Sequence, residues 1–149
     1  MNTRKQQGFT IIEVVLVLAI AGLIFLMVFI ALPALQRGQR DTARRSSLST
    51  FSAQITQFQT NNKGSVPTTA GIDTFVTGYM QSNWTDPTTN AAYVKAANNA
   101  AVDTATVPGT WFYTAGYVCD GEAITGGGGR NFAVRMKLEG AGVACMDNK

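Results

Sequence analysis

The chain has 149 residues, 46% of them hydrophobic and 14% charged, with 12 Lys and Arg against 9 Asp and Glu, two Cys and no His. That length suits one domain of ordinary size, and without His there is no Ser-His-Asp or Cys-His catalytic group, His-liganded zinc or proximal haem ligand. Grease and charge are both uneven. From Phe9 to Leu35, 23 of 27 residues are apolar, and residues 1–45 hold six basic side chains against Glu13 and Asp41, whereas residues 46–149 hold six against seven acidic ones. The remainder of the chain offers no basic surface interleaved with aromatics, so sequence-specific nucleic-acid binding is not expected.

In chain order, a short polar leader with Arg4 and Lys5 precedes Gly8-Phe9-Thr10-Ile11-Ile12-Glu13 and a run from Val14 to Leu32 that is apolar except for Gly22. As a helix that run is roughly 28 Å long, the thickness of a bilayer's hydrocarbon core. A buried core helix of a small domain would keep a polar face, and this run has none. A removable secretory signal cut after Ala21 fits poorly, because it would leave Leu23 to Leu32 as a greasy new terminus. Glu13 lies at the start of this segment, where a charge is costly unless paired, which calls for a function or a partner.

Carried by Gly8-Phe9-Thr10-Ile11-Ile12-Glu13 and the run after it, the chain resembles the type IV pilin and pseudopilin family, and most of all a major pilin. The resemblance covers the leader and about 27 following residues. It implies that a prepilin peptidase facing the cytoplasm cuts between Gly8 and Phe9 and methylates the new Phe9 amine. It also implies that Glu13 pairs with the Phe9 amine of a neighbouring subunit, two charges costly alone becoming a drive to assemble. Positive charge by itself would put the C-terminal side in the cytoplasm, since Arg37, Arg40, Arg44 and Arg45 follow the run. The resemblance implies the reverse, with residues 1–8 as a cytoplasmic leader.

Residues 9–35 are read as the membrane-spanning, filament-core half of one helix and residues 36–62 as its amphipathic half. Leu48, Phe51, Ile55 and Phe58 recur every three or four positions on one face, and Asn61-Asn62-Lys63-Gly64 with Pro67 supplies a stop. Pro33 and Gly38 predict a kink or a locally melted stretch, either a plain membrane-exit kink or the segment that loses helical order in some filaments of this family. The Arg cluster either solvates the helix and meets lipid headgroups or pairs with acidic residues of neighbouring heads.

Residues 63–149 form the head. With 13 Leu, Ile and Val and 11 aromatics after Leu35, its core must rest on aromatics and the helix stripe. A short amphipathic helix is predicted at Ile72, Phe75, Val76, Tyr79 and Met80. A loop, Trp84-Thr85-Asp86-Pro87, leads toward a strand at Tyr93 and is similar to an arrangement in major pseudopilins of type II secretion. Strands are predicted at Thr110–Val118, at Phe132–Leu138 with Ala133, Arg135 and Lys137 on a wet face, and at Val143–Met146. The fold class is α+β, a long helix packed on a small antiparallel sheet.

Cys119 and Cys145, in a thin head outside the cytoplasm, read as a disulfide closing a loop of about 25 residues and adding roughly 3 kcal/mol. Two free thiols are the alternative. Gly126 to Gly129 is a turn between strands and not a phosphate loop, since no Gly-Lys-Ser or Gly-Lys-Thr follows. Asp120, Glu122 and Asp147 could gather near the disulfide, and the resemblance extends to pseudopilins that bind calcium in this region, although the spacing is not that of a calcium loop; Asn83-Trp84-Thr85 matches a glycosylation pattern. No catalytic residues, metal or cofactor are expected. The expected product is a homo-oligomeric extracellular filament built by pilus assembly machinery from an inner-membrane precursor, serving attachment, motility or DNA uptake. A type II secretion pseudopilin is the alternative, and a lone single-pass protein with an independently acting head is a third reading that leaves Gly8-Phe9 and Glu13 unexplained.

Overall fold

The computed structural model describes residues 8–80, 84–140 and 142–149. These residues fall into two compact units that divide between Gln36 and Arg37. Helix α1 spans Ile11–Asn61, 51 residues. In the first unit it is long and apolar enough to cross a membrane, and no residue of that apolar window is buried. Helical backbone continues through Pro33 and Gly38: Pro33 lacks one N–H donor, and the bonds on either side carry the helix past it. The α1 stop is built as the residues there predict, with Gly64 in the left-handed region at φ 84° and its N–H donating to Gln59 O at 2.7 Å.

In the second unit the apolar stripe of α1 meets the head. Leu48, Phe51 and Ile55 are fully buried. The head consists of α2 (Ile72–Phe75), which continues into a π-helical turn at Val76–Met80, then α3 (Asn99–Asp103), β1 (Trp111–Ala115), β2 (Tyr117–Asp120), β3 (Ala123–Gly126), β4 (Phe132–Lys137) and β5 (Val143–Asp147). Strands β1, β4 and β5 form an antiparallel sheet with β4 central, and β2 and β3 form a separate hairpin. Phe51 is the hub of the core. Its ring stacks on Trp84 at 4.9 Å between centroids and meets Trp111 at 5.3 Å, Phe75 at 5.7 Å and Tyr113 at 6.3 Å.

Three expectations are corrected. The Thr110–Val118 strand is two strands, because Gly116 turns the chain at φ 80°, a conformation that only glycine adopts cheaply; its N–H donates to Asn131 O and its carbonyl accepts from Gly127 N–H, both at 2.8 Å. The region of Tyr93 holds only isolated bridges, Thr85 with Ala92 and Lys95 with Trp111. Ala133 and Arg135 of β4 are not on a wet face but buried, at 1% and 4% exposure. The covering elements are α3 and the β2–β3 hairpin, neither of them expected: the Arg135 guanidinium donates to Asp103, to Asn99 Oδ1 and to Glu122 O. Helix α3 is started by Asn98, whose side chain accepts from Ala101 N–H at 2.9 Å.

Candidate functional site

Gly8 and Phe9 lie before the first turn of α1, and Phe9 is 89% exposed. Thr10 and Glu13 close a reciprocal capping box. The Thr10 backbone N–H and hydroxyl both donate to Glu13 Oε2 at 2.8 Å, and Glu13 N–H donates to Thr10 Oγ1 at 3.4 Å. Glu13 is thereby held at the positive end of its own helix, where a carboxylate is favoured. The Thr-x-x-Glu spacing was visible in the chain, but reading Glu13 only as a partner for another subunit passed over it. The residues 1–7 of the leader lie outside the described residues.

Three of the four clustered arginines, Arg37, Arg40 and Arg44, face carboxylates of their own chain. Arg44, 1% exposed, donates through Nε and Nη2 to both Asp86 carboxylate oxygens at 2.7 and 3.2 Å, through Nη1 to Asp41 Oδ1 at 2.9 Å and Glu139 Oε2 at 3.3 Å, and through Nη2 to Thr88 Oγ1 at 2.8 Å. Arg40 grips Glu139 with two bonds of 2.7 and 2.5 Å. Asp41 in turn accepts from the backbone N–H groups of Glu139 and Gly140 at 2.8 and 2.7 Å, tying α1 to the turn between β4 and β5. Arg37 lies 4.0 Å from Glu139 and is largely exposed. Three cations therefore face three carboxylates, which is how a guanidinium can be buried at all.

Burial alone would raise the carboxyls of Asp41 and Asp86, but the backbone N–H groups and the Arg44 guanidinium override it and hold both below the usual carboxylate range. Glu139 is held low by its bonds to Arg40. Burial acts to lower Arg44, and the carboxylates around it raise it above its ordinary value. Asp86 also accepts from Thr88 N–H at 2.8 Å, so the Asp-Pro loop is shaped around the carboxylate that receives Arg44. Tyr93 fastens the far end of that loop, its hydroxyl donating to Ser47 Oγ at 3.1 Å.

Cys119 of β2 and Cys145 of β5 form a disulfide with Cα atoms 5.9 Å apart. It fastens the hairpin to the edge of the three-stranded sheet, and Cys119 N–H donates beside it to Asp147 Oδ2 at 2.6 Å. Asp120, Glu122 and Asp147 are not brought together: among the described residues no three His, Cys, Asp or Glu side chains gather as metal ligands would. Asn83 of the glycosylation pattern lies outside the described residues.

A membrane-length helix whose second half packs on an antiparallel head defines a pilin-like α+β architecture. Residues 3–29 match the family model described as the prokaryotic N-terminal methylation motif. Motif and architecture are similar to those of type IV pilins and pseudopilins, and the motif with the apolar helix fits a membrane-anchored precursor. No curated protein and no solved structure matches the chain.

Proposed function

We propose that this chain is the major structural subunit of an extracellular type IV pilus. The observation that carries the reading is the apolar half of α1 headed by Gly8, Phe9 and Glu13: none of its apolar window is buried, and it is the length of a bilayer before assembly and a surface for other copies after it. In this reading the peptidase cuts between Gly8 and Phe9 and methylates Phe9. Residues 9–35 become filament core, residues 36–62 carry the head, and residues 63–149 with the Cys119–Cys145 loop face outward. Glu13 serves each neighbouring copy through the Phe9 amine, and a bend at Pro33 and Gly38 accommodates packing. Attachment, motility or DNA uptake are the uses such a filament serves.

Electron microscopy of surface filaments tests this. Deletion of the chain should abolish them, and Glu13→Leu should leave insertion and leader removal intact while filament number collapses. Normal filament numbers in Glu13→Leu defeat the pairing role. The Asp86-Pro87 loop with Tyr93 favours a second reading, a pseudopilin of type II secretion, and unchanged filaments with lost exoprotein secretion in the deletion would select it.

A further inference from the structure

The strands of the head differ in how their edges are closed. The outer edge of β1 is taken up by its own chain: Trp111 N–H donates to Val94 O at 2.9 Å, Ala96 N–H to Trp111 O at 2.7 Å, and Ala115 N–H to Thr69 Oγ1 at 3.2 Å. Strands β2 and β5 meet across the Cys119–Cys145 disulfide and the bond from Cys119 N–H to Asp147. Strand β3 has no such cover. It pairs with β2 in a register that sets Val118 opposite Thr125 and Cys119 opposite Ile124, and Gly127 N–H donates to Gly116 O at 2.8 Å. Bonded and non-bonded pairs alternate along an antiparallel ladder, so Ala123, Thr125 and Gly127 turn their backbone groups to β2, while Ile124 and Gly126 turn theirs away. Among the described residues nothing bonds to those outward groups. Beyond its chain neighbours, no atom lies within 4 Å of where a side chain on Gly126 would begin. Ala123, Thr125 and Gly126 are exposed, and from Ala123 to Gly129 there is no charge and no Pro to shield the edge.

We propose that β3 is a docking edge for β3 of a second copy of this chain, the two strands pairing antiparallel about a two-fold axis at Thr125. The distribution of charge selects this partner and this direction. Strand β3 lies between an acidic turn holding Asp120 and Glu122 and the basic Arg130. Antiparallel pairing brings the acidic end of one copy to the basic end of the other, whereas parallel pairing sets like charges together. The outward N–H and C=O groups of Ile124 then meet those of Gly126 in the second copy, and the reverse. The Ile124 side chain of one copy falls opposite Gly126 of the other, over the open space beside Tyr117, itself 40% exposed. A two-fold contact closes on itself and does not propagate, so under the filament reading, on which only this consequence rests, it joins heads of separate filaments side by side. The pairing itself uses no residue of the N-terminal motif.

The test uses the full chain in an uncharged detergent under mild oxidation, with disulfide-linked dimers followed on non-reducing gels. In the proposed register Thr125 faces itself at a non-bonded pair, where Cα atoms are about 4.5 Å apart and within disulfide reach, so Thr125→Cys should cross-link. Ala123→Cys, also exposed, lies about 13 Å from its own counterpart in that register and should cross-link about tenfold more slowly, at the rate of chance collision. Non-reduced peptide mapping verifies that Cys119–Cys145 stays intact in both. Ile124→Pro added to Thr125→Cys removes an outward donor and no bond to β2, and should slow cross-linking about tenfold. Arg130→Glu in the same background makes both ends of the strand acidic and should slow it about threefold at low salt. If Ile124→Pro alters the circular dichroism of the head, Arg130→Glu decides alone. Equal rates for Thr125→Cys and Ala123→Cys, or an undiminished rate in the deciding variant, would overturn the proposal.

Discussion

Taking a guanidinium out of water costs several kcal/mol, which only well-aligned carboxylates and hydrogen bonds offset, and Arg44 has Asp86, Asp41, Glu139 and Thr88 around it for that purpose. Arg44→Met leaves Asp86, 5% exposed, without its guanidinium. The head should lose about 3–5 kcal/mol, read as a fall in its thermal midpoint, whereas Arg44→Met with Asp86→Leu should recover part of that loss. Arg40→Gln, at the more open side of the network, should give a smaller fall. None of this was legible locally. The four arginines were visible as a cluster, but Asp86 lies 42 residues and Glu139 95 residues from Arg44, and no periodicity connects such positions. Thr10 and Glu13 are the opposite case, since their three-residue spacing states the capping box outright; Thr10→Ala should speed amide exchange across Ile11–Val14 in micelles, with the rest of α1 unaffected.

Elements were legible where one local pattern decides them. The stripe Leu48, Phe51, Ile55 and Phe58 forecast both the face of α1 and the need for an apolar bed, which the aromatics of the head supply. Phe51→Ala, removing the ring shared by Phe75, Trp84, Trp111 and Tyr113, should cost about 3–5 kcal/mol, measured by urea unfolding of the head. Strand β4 shows where local pattern fails. Its alternation was real, yet the second face is closed by α3 and the β2–β3 hairpin, elements of five and four residues too short to announce themselves, and Arg135 is kept dry by polar partners rather than by water. The disulfide is the main covalent tie of that hairpin. Cys119→Ser with Cys145→Ser should lower stability by roughly 3 kcal/mol and expose Arg135 to faster modification by phenylglyoxal.

For the molecule as a whole, acid should be the weak direction. Asp41, Asp86 and Glu139 are held below the usual carboxylate range, so the unfolded chain takes up protons first as pH falls. Their contribution is fully present above about pH 4, the unfolded values, and is lost as pH drops through the lower folded values. With no His in the chain, stability should be nearly flat from about pH 5 to 8. Urea midpoints measured at pH 7, 4 and 3 check this, and the Arg44→Met, Asp86→Leu double variant should show a shallower acid slope.

The same network also sets a clock. Glu139 and Gly140 follow their partners Arg40 and Asp41 by 99 residues, and at about 5–20 residues per second of synthesis the turn that holds them emerges roughly 5–20 s after α1. For that interval Arg40 lacks its carboxylate, whereas Arg44 has Asp41 on its own helix and meets Asp86 less than halfway through. Completion of the β4–β5 turn then neutralises Arg40 with Glu139, so the charge that the nascent helix displays is not the charge that the finished protein keeps.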